Sequence, residues 1–257
     1  MQEKRKTASE RFYRMLRGLV KGCYPKITVE GLENLPEEPC LLVGNHAQMN
    51  GPIIGELYIP GKRAIWCTSE MMRRKEVPAY AYQDFWSEKP RCVRWFYKLL
   101  SYIIAPISAC IFNEAHTIAV YRDDRILQTF RQTLQRLSEG CRVVVFPEGP
   151  EPYNQIVNHF QDGFVDVGRL YGNRTGKPLR FVPMYVAPRL RKVFLGKPVY
   201  YNLEAPREQE RSRICGELME AVTELAVRLP RHTVVPYRNI PKKEYPINVP
   251  LEVDPAQ

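Results

Sequence analysis

Apolar residues return along this chain with two different periods. Phe12, Met15, Leu16, Leu19 and Val20 recur at helical spacing, while Arg11, Arg14, Arg17 and Lys21 fall largely on the other faces. That pattern predicts a basic amphipathic helix over about 8–22, suited either to docking on the domain or to lying on a membrane surface. Short β-like runs follow at 27–30, 40–44, 64–68, 118–121, 142–146, 179–186 and 193–200. Two helical patterns lie between or after them. One carries Ile126, Leu127, Phe130, Leu134 and Leu137 on one face and stops at Gly140. The other runs over about 207–229 with Ile214, Leu218, Val222 and Leu225, and ends before Pro230.

Strands alternating with helices predict a single α/β domain over 26–229, with a mixed, mostly parallel sheet flanked by helices. The basic helix precedes it over 1–25. After it, Pro230, Pro236, Pro241, Pro246, Pro250 and Pro255 predict an extended surface tail over 230–257. The stretch 93–112 is the one candidate membrane span. Only 15 uncharged residues separate Lys98 from Glu114, or about 22 Å of helix against ~30 Å of hydrocarbon. With Pro106 inside it, a buried core helix is the expectation, and a helix lining an acyl groove or dipping into one leaflet is the alternative.

Composition narrows the class. Of 257 residues, 44% are hydrophobic and 26% charged, which excludes a disordered or multi-span chain. The formal charge of +10 fits nucleic acid, an anionic membrane face or a phosphorylated substrate. Dispersed basic residues without a recognition motif count against nucleic acid. Seven scattered cysteines form no C-x-x-C pair, so neither a disulfide framework nor a zinc ribbon is expected. The charged start after Met1 does not read as a secretory signal. A reducing, cytosolic setting follows as the expectation.

Four blocks carry candidate chemistry. Leu41 to Val43 lead into Gly44-Asn45-His46, and Asn50-Gly51-Pro52 then reads as a helix start with Asn50 as cap. A helix N-terminus beside His46 would keep its imidazole neutral, as a general base requires. Val143 to Val145 lead into Phe146-Pro147-Glu148-Gly149-Pro150, which reads as a turn. Val120-Tyr121-Arg122 ends a strand in a guanidinium suited to phosphate, unless Arg122 pairs with Asp123 or Asp124 on the surface. Phe181-Val182-Pro183 is an apolar strand whose internal Pro predicts an edge or a bulge.

In order and spacing these blocks resemble the 1-acylglycerol-3-phosphate acyltransferase family of glycerolipid acyltransferases. Val29 to Pro36 and Gly196-Lys197-Pro198 extend the similarity over about 27–225. The resemblance implies that family's fold and an acyl transfer from acyl-CoA or acyl carrier protein to the hydroxyl of a lysophospholipid such as 1-acylglycerol-3-phosphate, in phospholipid synthesis. It implies His46 as general base with Glu148 in the catalytic pocket, and Arg122 as the phosphate contact. Asn45, Asn50, Gly51, Phe146, Pro147 and Gly149 would line the substrate site. No metal or cofactor beyond the thioester co-substrate is implied. The expected setting is peripheral, on the cytoplasmic face of an anionic membrane.

The chain departs from the family twice. Gly51 stands where the family has the Asp that orients the histidine, and Pro150-Glu151 replaces Thr-Arg. Asn50, Glu56, Glu70 and Glu148 are the possible stand-ins for the carboxylate, and Gly51→Asp is expected to raise turnover. Backbone N–H groups near Gly51 are candidate oxyanion donors. The rival expectation is a non-catalytic lipid- or acyl-CoA-binding protein on the same fold.

Overall fold

A computed structural model describes residues 8–86, 90–115, 117–121 and 123–249. In chain order the elements are α1 (Ala8–Cys23), β1 (Thr28–Glu30), β2 (Leu41–Gly44), α2 (Asn50–Tyr58), β3 (Arg63–Thr68), α3 (Ser69–Met72), α4 (Val77–Ala81), α5 (Arg94–Glu114), β4 (Ile118–Val120) and α6 (Ile126–Ser138). They continue with β5 (Arg142–Val145), β6 (Glu148–Pro152), β7 (Asn158–Phe160), α7 (Asp166–Thr175), β8 (Arg180–Ala187), β9 (Lys192–Leu195), β10 (Val199–Tyr200) and α8 (Arg207–Val227). The chain divides into two compact units, Lys26–Arg63 with Gln132–Gln257, and Met1–Pro25 with Ala64–Arg131.

The larger unit is built on a mixed, mostly parallel sheet in the order β1-β9-β8-β2-β5, with β10 pairing β8. β2 runs parallel to both β5 and β8, β1 runs parallel to β9, and only the β8–β9 and β8–β10 pairs are antiparallel. Leu41, Leu42, Val143, Val144, Phe181 and Val182 are wholly buried, as strands covered on both faces require. α8 packs on β8 through Ile214, Leu218 and Val222. Gly44 lets the strands close up at the end of β2: a Cβ there would lie 2.1 Å from the carbonyl oxygen of Met184. Asp166, at the start of α7, ties that helix to α8 through Arg207 and Arg211. Burial raises its carboxyl pKa, but the two guanidinium groups outweigh burial and hold it at about 2.

Several expectations are corrected here. Pro183 lies in an interior strand between β9 and β2, not at an edge. Its carbonyl accepts the N–H of Gly196, so its nitrogen faces the break between β10, which pairs residues 180–181, and β9, which pairs 184–187. The reciprocal bond to Gly196 is the one that proline cannot make, and regular β8–β9 pairing stops there. The expected turn at 147–150 is the start of β6, in an antiparallel pair with β7. The run 193–200 is split into β9 and β10 around Gly196-Lys197-Pro198. In α6 the buried positions are Thr129, Phe130, Thr133 and Leu137, whereas Leu127 is exposed.

The segment after α8 is not an extended surface tail over its described part. His232, Val234, Val235 and Asn248 are buried, Thr233 bridges Ile247, and the N–H of Val234 donates to the carbonyl of Pro246. Asn248 fastens this strap. Its Nδ2 donates to the carbonyl oxygens of Ala226 and Leu229, and its Oδ1 accepts the N–H of His232.

The smaller unit holds the parallel pair β3–β4 and the helices α1, α3, α4 and α5. Its core is Met71, Val77, Ala81 and Ala105, with Cys67, Tyr80 and Phe112 against it. α5 is the helix expected to be buried, and it is not. Only Ser101, Ala105 and Ser108 are buried, a stripe of small residues facing α3 and α4. Trp95, Phe96, Leu99, Tyr102, Ile103 and Ile107 are exposed, Trp95 and Tyr102 by more than two thirds. The helix Arg91–Glu114 is long and apolar enough to cross a membrane by length and composition. α1 contacts α5 and leaves Phe12, Met15, Leu19 and Val20 exposed.

Candidate functional site

Parallel pairing of β2 with β5 brings together the two motifs that lie about a hundred residues apart in sequence. Leu41 to Val43 stand beside Val143 to Val145, so Asn45-His46 and Phe146-Pro147-Glu148 leave the sheet side by side at the carboxyl ends of neighbouring strands. That is the end of an open α/β sheet where ligands ordinarily bind. Asn45 fixes the departure. Its Oδ1 accepts the N–H of Val186 at 2.7 Å and its Nδ2 donates to the carbonyl of Val186 at 3.1 Å. Both ends of this buried carboxamide are therefore committed to β8, and Asn45 positions the loop and does not line the substrate site.

Beyond Asn45 the chain turns sharply. Ala47 and Gln48 both take left-handed conformations, with φ of 47° and 55°, which cost energy for residues with a side chain and persist only where the surroundings enforce them. The enforcement is a knot of local bonds. The N–H of Gly51 donates to the carbonyl of His46, that of Asn50 donates to Ala47, and Asn50 Nδ2 donates to the same Ala47 oxygen. Asn50 is thus the first residue of α2, not its cap, and the N–H groups of Asn50 and Gly51 are spent inside the loop, not directed at an oxyanion.

Glu148 holds this loop from outside. One carboxylate oxygen accepts the backbone N–H of His46 at 2.5 Å, and the other accepts the N–H of Asn158 at 2.9 Å. Burial pushes its pKa up to about 7, against the opposing pull of the Asn158 and His46 N–H groups. The role assigned to it from sequence changes accordingly: both oxygens face backbone donors, so Glu148 positions His46 and is not aimed at the reacting atoms. Pro147 and Gly149 serve the same hairpin, their carbonyls accepting the Gln161 N–H and Asn158 Nδ2. Their carbonyls are part of the frame.

The His46 ring lies between two aromatic edges, Phe146 at 5.4 Å and Tyr237 at 5.8 Å between centroids. Burial lowers its pKa, only partly opposed by the nearby backbone of Gln48 and of His46 itself, so the imidazole is neutral at pH 7. Its Nδ1 is buried without a hydrogen-bond partner. None of the stand-ins fills that place. Glu56 pairs with Arg63, Glu70 bonds Thr68 and Ser69, Asn50 reaches Ala47, and Glu148 holds backbone. Nor can residue 51 be the missing carboxylate: a Cβ on Gly51 would lie 2.4 Å from the His46 carbonyl oxygen and 2.9 Å from Phe146. The expected gain from Gly51→Asp would require this contact to be relieved first.

Arg122 lies outside the described residues. Asp123, one of the two carboxylates weighed as its partner, is paired with Arg125. No group of three or more His, Cys, Asp or Glu able to hold a metal occurs among the described residues. Sequence reasoning missed the contribution of the strap: Tyr237 against His46, Gln48 Nε2 donating to the Arg238 carbonyl and to Tyr245 Oη, and Arg238 Nη2 donating to the Pro150 carbonyl. Val234-Val235, an apolar pair amid the prolines, was the available signal.

These features define an α/β protein with a neutral, clamped histidine at the carboxyl ends of its central strands. Among solved structures, the 1-acyl-sn-glycerophosphate (LPA) acyltransferase PlsC from Thermotoga maritima is similar at 20% identity, with a TM-score of 0.48 over 86% of this chain and 80% of that one. No family model and no curated protein matches the chain.

Proposed function

We propose that the protein is an acyltransferase in which His46 accepts the proton of a lysophospholipid hydroxyl while that oxygen attacks an acyl thioester. The observation that carries this reading is the clamped, neutral His46 beside Phe146 at the strand ends, where the four sequence blocks of a glycerolipid acyltransferase call for a general base. The hydroxyl oxygen forms the new ester bond, the carbon–sulfur bond of the thioester breaks, and the proton held by His46 Nε2 passes to the leaving thiolate. Acyl-CoA or acyl carrier protein supplies the thioester, and no metal takes part.

Such a substrate lives in a bilayer, and the smaller unit offers two apolar helix surfaces to one. α1 adds Arg11, Arg14, Arg17 and Lys21 to its exposed Phe12, Met15 and Leu19, and each cation near an anionic leaflet contributes about 1 kcal/mol. The proposed setting is peripheral attachment to the cytoplasmic face, tested by pelleting with anionic vesicles with and without residues 1–24.

One observation favours the rival, a lipid- or acyl-CoA-binding protein without turnover: nothing holds Nδ1 of His46. The two readings separate in one experiment. Thioester consumption is followed with acyl-CoA and acyl carrier protein donors and a lysophospholipid acceptor, for the wild type and His46→Ala. A rate lowered about 10³-fold in the variant supports the enzyme. Silence in both proteins, with acyl-CoA still bound, supports the rival.

A further inference from the structure

The strap that follows α8 does more than cover apolar surface. It is built into the larger unit at both of its ends, by His232 Nε2 against the buried Tyr185 hydroxyl at 2.8 Å and by the carboxamide of Asn248 on the last turn of α8. Between these anchors it passes directly over the candidate site. Tyr237 sets its ring edge against His46, and the next residue is fixed to both loops that make the site. The Arg238 carbonyl accepts Gln48 Nε2 at 3.1 Å, two residues beyond His46, and its guanidinium donates to the Pro150 carbonyl at 2.7 Å, two residues beyond Glu148.

The guanidinium so placed is under-used. Arg63, Arg125, Arg180, Arg207, Arg211 and Arg213 all pair with carboxylates. Arg238, which is exposed, makes among the described residues one bond to an uncharged carbonyl and no ion pair. Most of its planar fork of N–H donors is left over, on a residue whose carbonyl is held by Gln48 and whose guanidinium is held at one point by Pro150. A full positive charge with free donors, on the residue that follows the tyrosine packed on His46 and tied by its guanidinium to the loop after Glu148, is a receptor for an anion, and a planar fork favours the paired oxygens of a phosphate.

We infer that the strap completes the His46 site and that Arg238 is its phosphate contact, a specificity-determining residue for a phosphate-bearing substrate. The inference rests on the acyl-transfer reading for the identity of that phosphate, which has two sources in such a reaction: the head group of the acceptor and the 3′-phosphate of CoA. Tyr237 supplies the wall between that anion and the imidazole. Gln48 and Pro150 hold Arg238 in register with both.

The test is equilibrium binding to the full chain of sn-glycerol 3-phosphate, CoA and dephospho-CoA, with glycerol as the uncharged control, for the wild type, Arg238→Gln and Arg238→Lys. Gln can still donate to the Pro150 carbonyl but carries no charge, so a thermal midpoint unchanged from wild type separates loss of the anion contact from loss of the strap. The expected result is that Arg238→Gln weakens one phosphate ligand at least tenfold and Arg238→Lys recovers most of it. Weakening of sn-glycerol 3-phosphate assigns the acceptor head group. Weakening of CoA down to the level of dephospho-CoA assigns the donor. Equal binding by wild type and Arg238→Gln, or no phosphate ligand bound by the wild type, overturns the inference. Because the readout is binding, a wild type that binds phosphate through Arg238 yet consumes no thioester would refute the acyl-transfer reading alone.

Discussion

Two histidines of the larger unit, one buried and one partly buried, sit in opposite states. His232 is complete: Nδ1 faces the Pro230 carbonyl, Nε2 faces the Tyr185 hydroxyl, and the ring therefore carries its proton on Nδ1 and accepts from the tyrosine. His46 has its backbone clamped by Glu148, but its own Nδ1 has no hydrogen-bond partner among the described residues. Both histidines have their backbone N–H taken by a side chain, Asn248 for His232 and the buried Glu148 for His46, and they differ in the ring: both nitrogens of His232 are met, whereas Nδ1 of His46 has no partner among the described residues. On the acyl-transfer reading proposed above, that difference leaves the His46 ring open to a substrate hydroxyl.

Three substitutions would break or sharpen the contrast, and they descend in size. Gly51→Asp tests whether the ring of His46 can be completed from α2. Because the first side-chain atom meets the His46 carbonyl and Phe146, the expected outcome in urea unfolding is a loss of about 3 kcal/mol, with no increase in thioester consumption. Gly51→Ala should lose nearly as much. A stable, faster Gly51→Asp enzyme would mean the loop opens to admit the carboxylate, and the distinction between the two histidines would fade.

Glu148 supplies a pH signature. Its folded-state pKa of about 7 is raised above the unfolded value, so relative stability is present below about pH 4.5 and is lost as pH rises to 7, by up to about 3 kcal/mol. In activity the sign reverses, since the ionised carboxylate best accepts the His46 and Asn158 N–H groups. A turnover profile rising through about pH 7 is expected in the wild type and absent in Glu148→Gln, whose amide must turn an N–H toward one backbone donor. An inflection that survives in Glu148→Gln would instead belong to His46, contrary to its lowered pKa.

His232→Ala is the smallest effect and the converse of His46→Ala. It strands the buried Tyr185 hydroxyl, which costs about 2 kcal/mol, and should lower the thermal midpoint while the folded fraction retains thioester turnover. A loss of turnover greater than the loss of folded protein would show that the strap's anchor is felt at His46.

The central strands were legible because their residues are buried on both faces, and α6 and α8 because one face of each is buried at helical spacing. The β6–β7 hairpin was not, because Glu-Gly-Pro-Glu-Pro opposes strand formation by propensity and is held only by pairing and by the Glu148 bonds. α5 was misjudged for a physical reason: Leu, Ile and Trp have the same periodicity whether a helix faces a core or a bilayer, and only its packing partners decide. The site's members were legible as a set, but not their roles. Asn45 and Glu148 act through side-chain bonds to backbone 141 and 102 residues away, which no local pattern encodes. The strap was hidden by its prolines, and with it Tyr237 and Arg238.

Asn45 carries one more consequence. A carboxamide has the same donor and acceptor as a peptide group, so the last rung between β2 and β8 is a side chain imitating main chain. The sheet continues hydrogen-bonding one step past the point where the backbone has already left it. The Val186 amide proton consequently reports on a loop to which it does not belong: its exchange with solvent measures how often the turn through Ala47 and Gln48 lifts from its seat, and so gives a clock for the opening of the site with no substrate present.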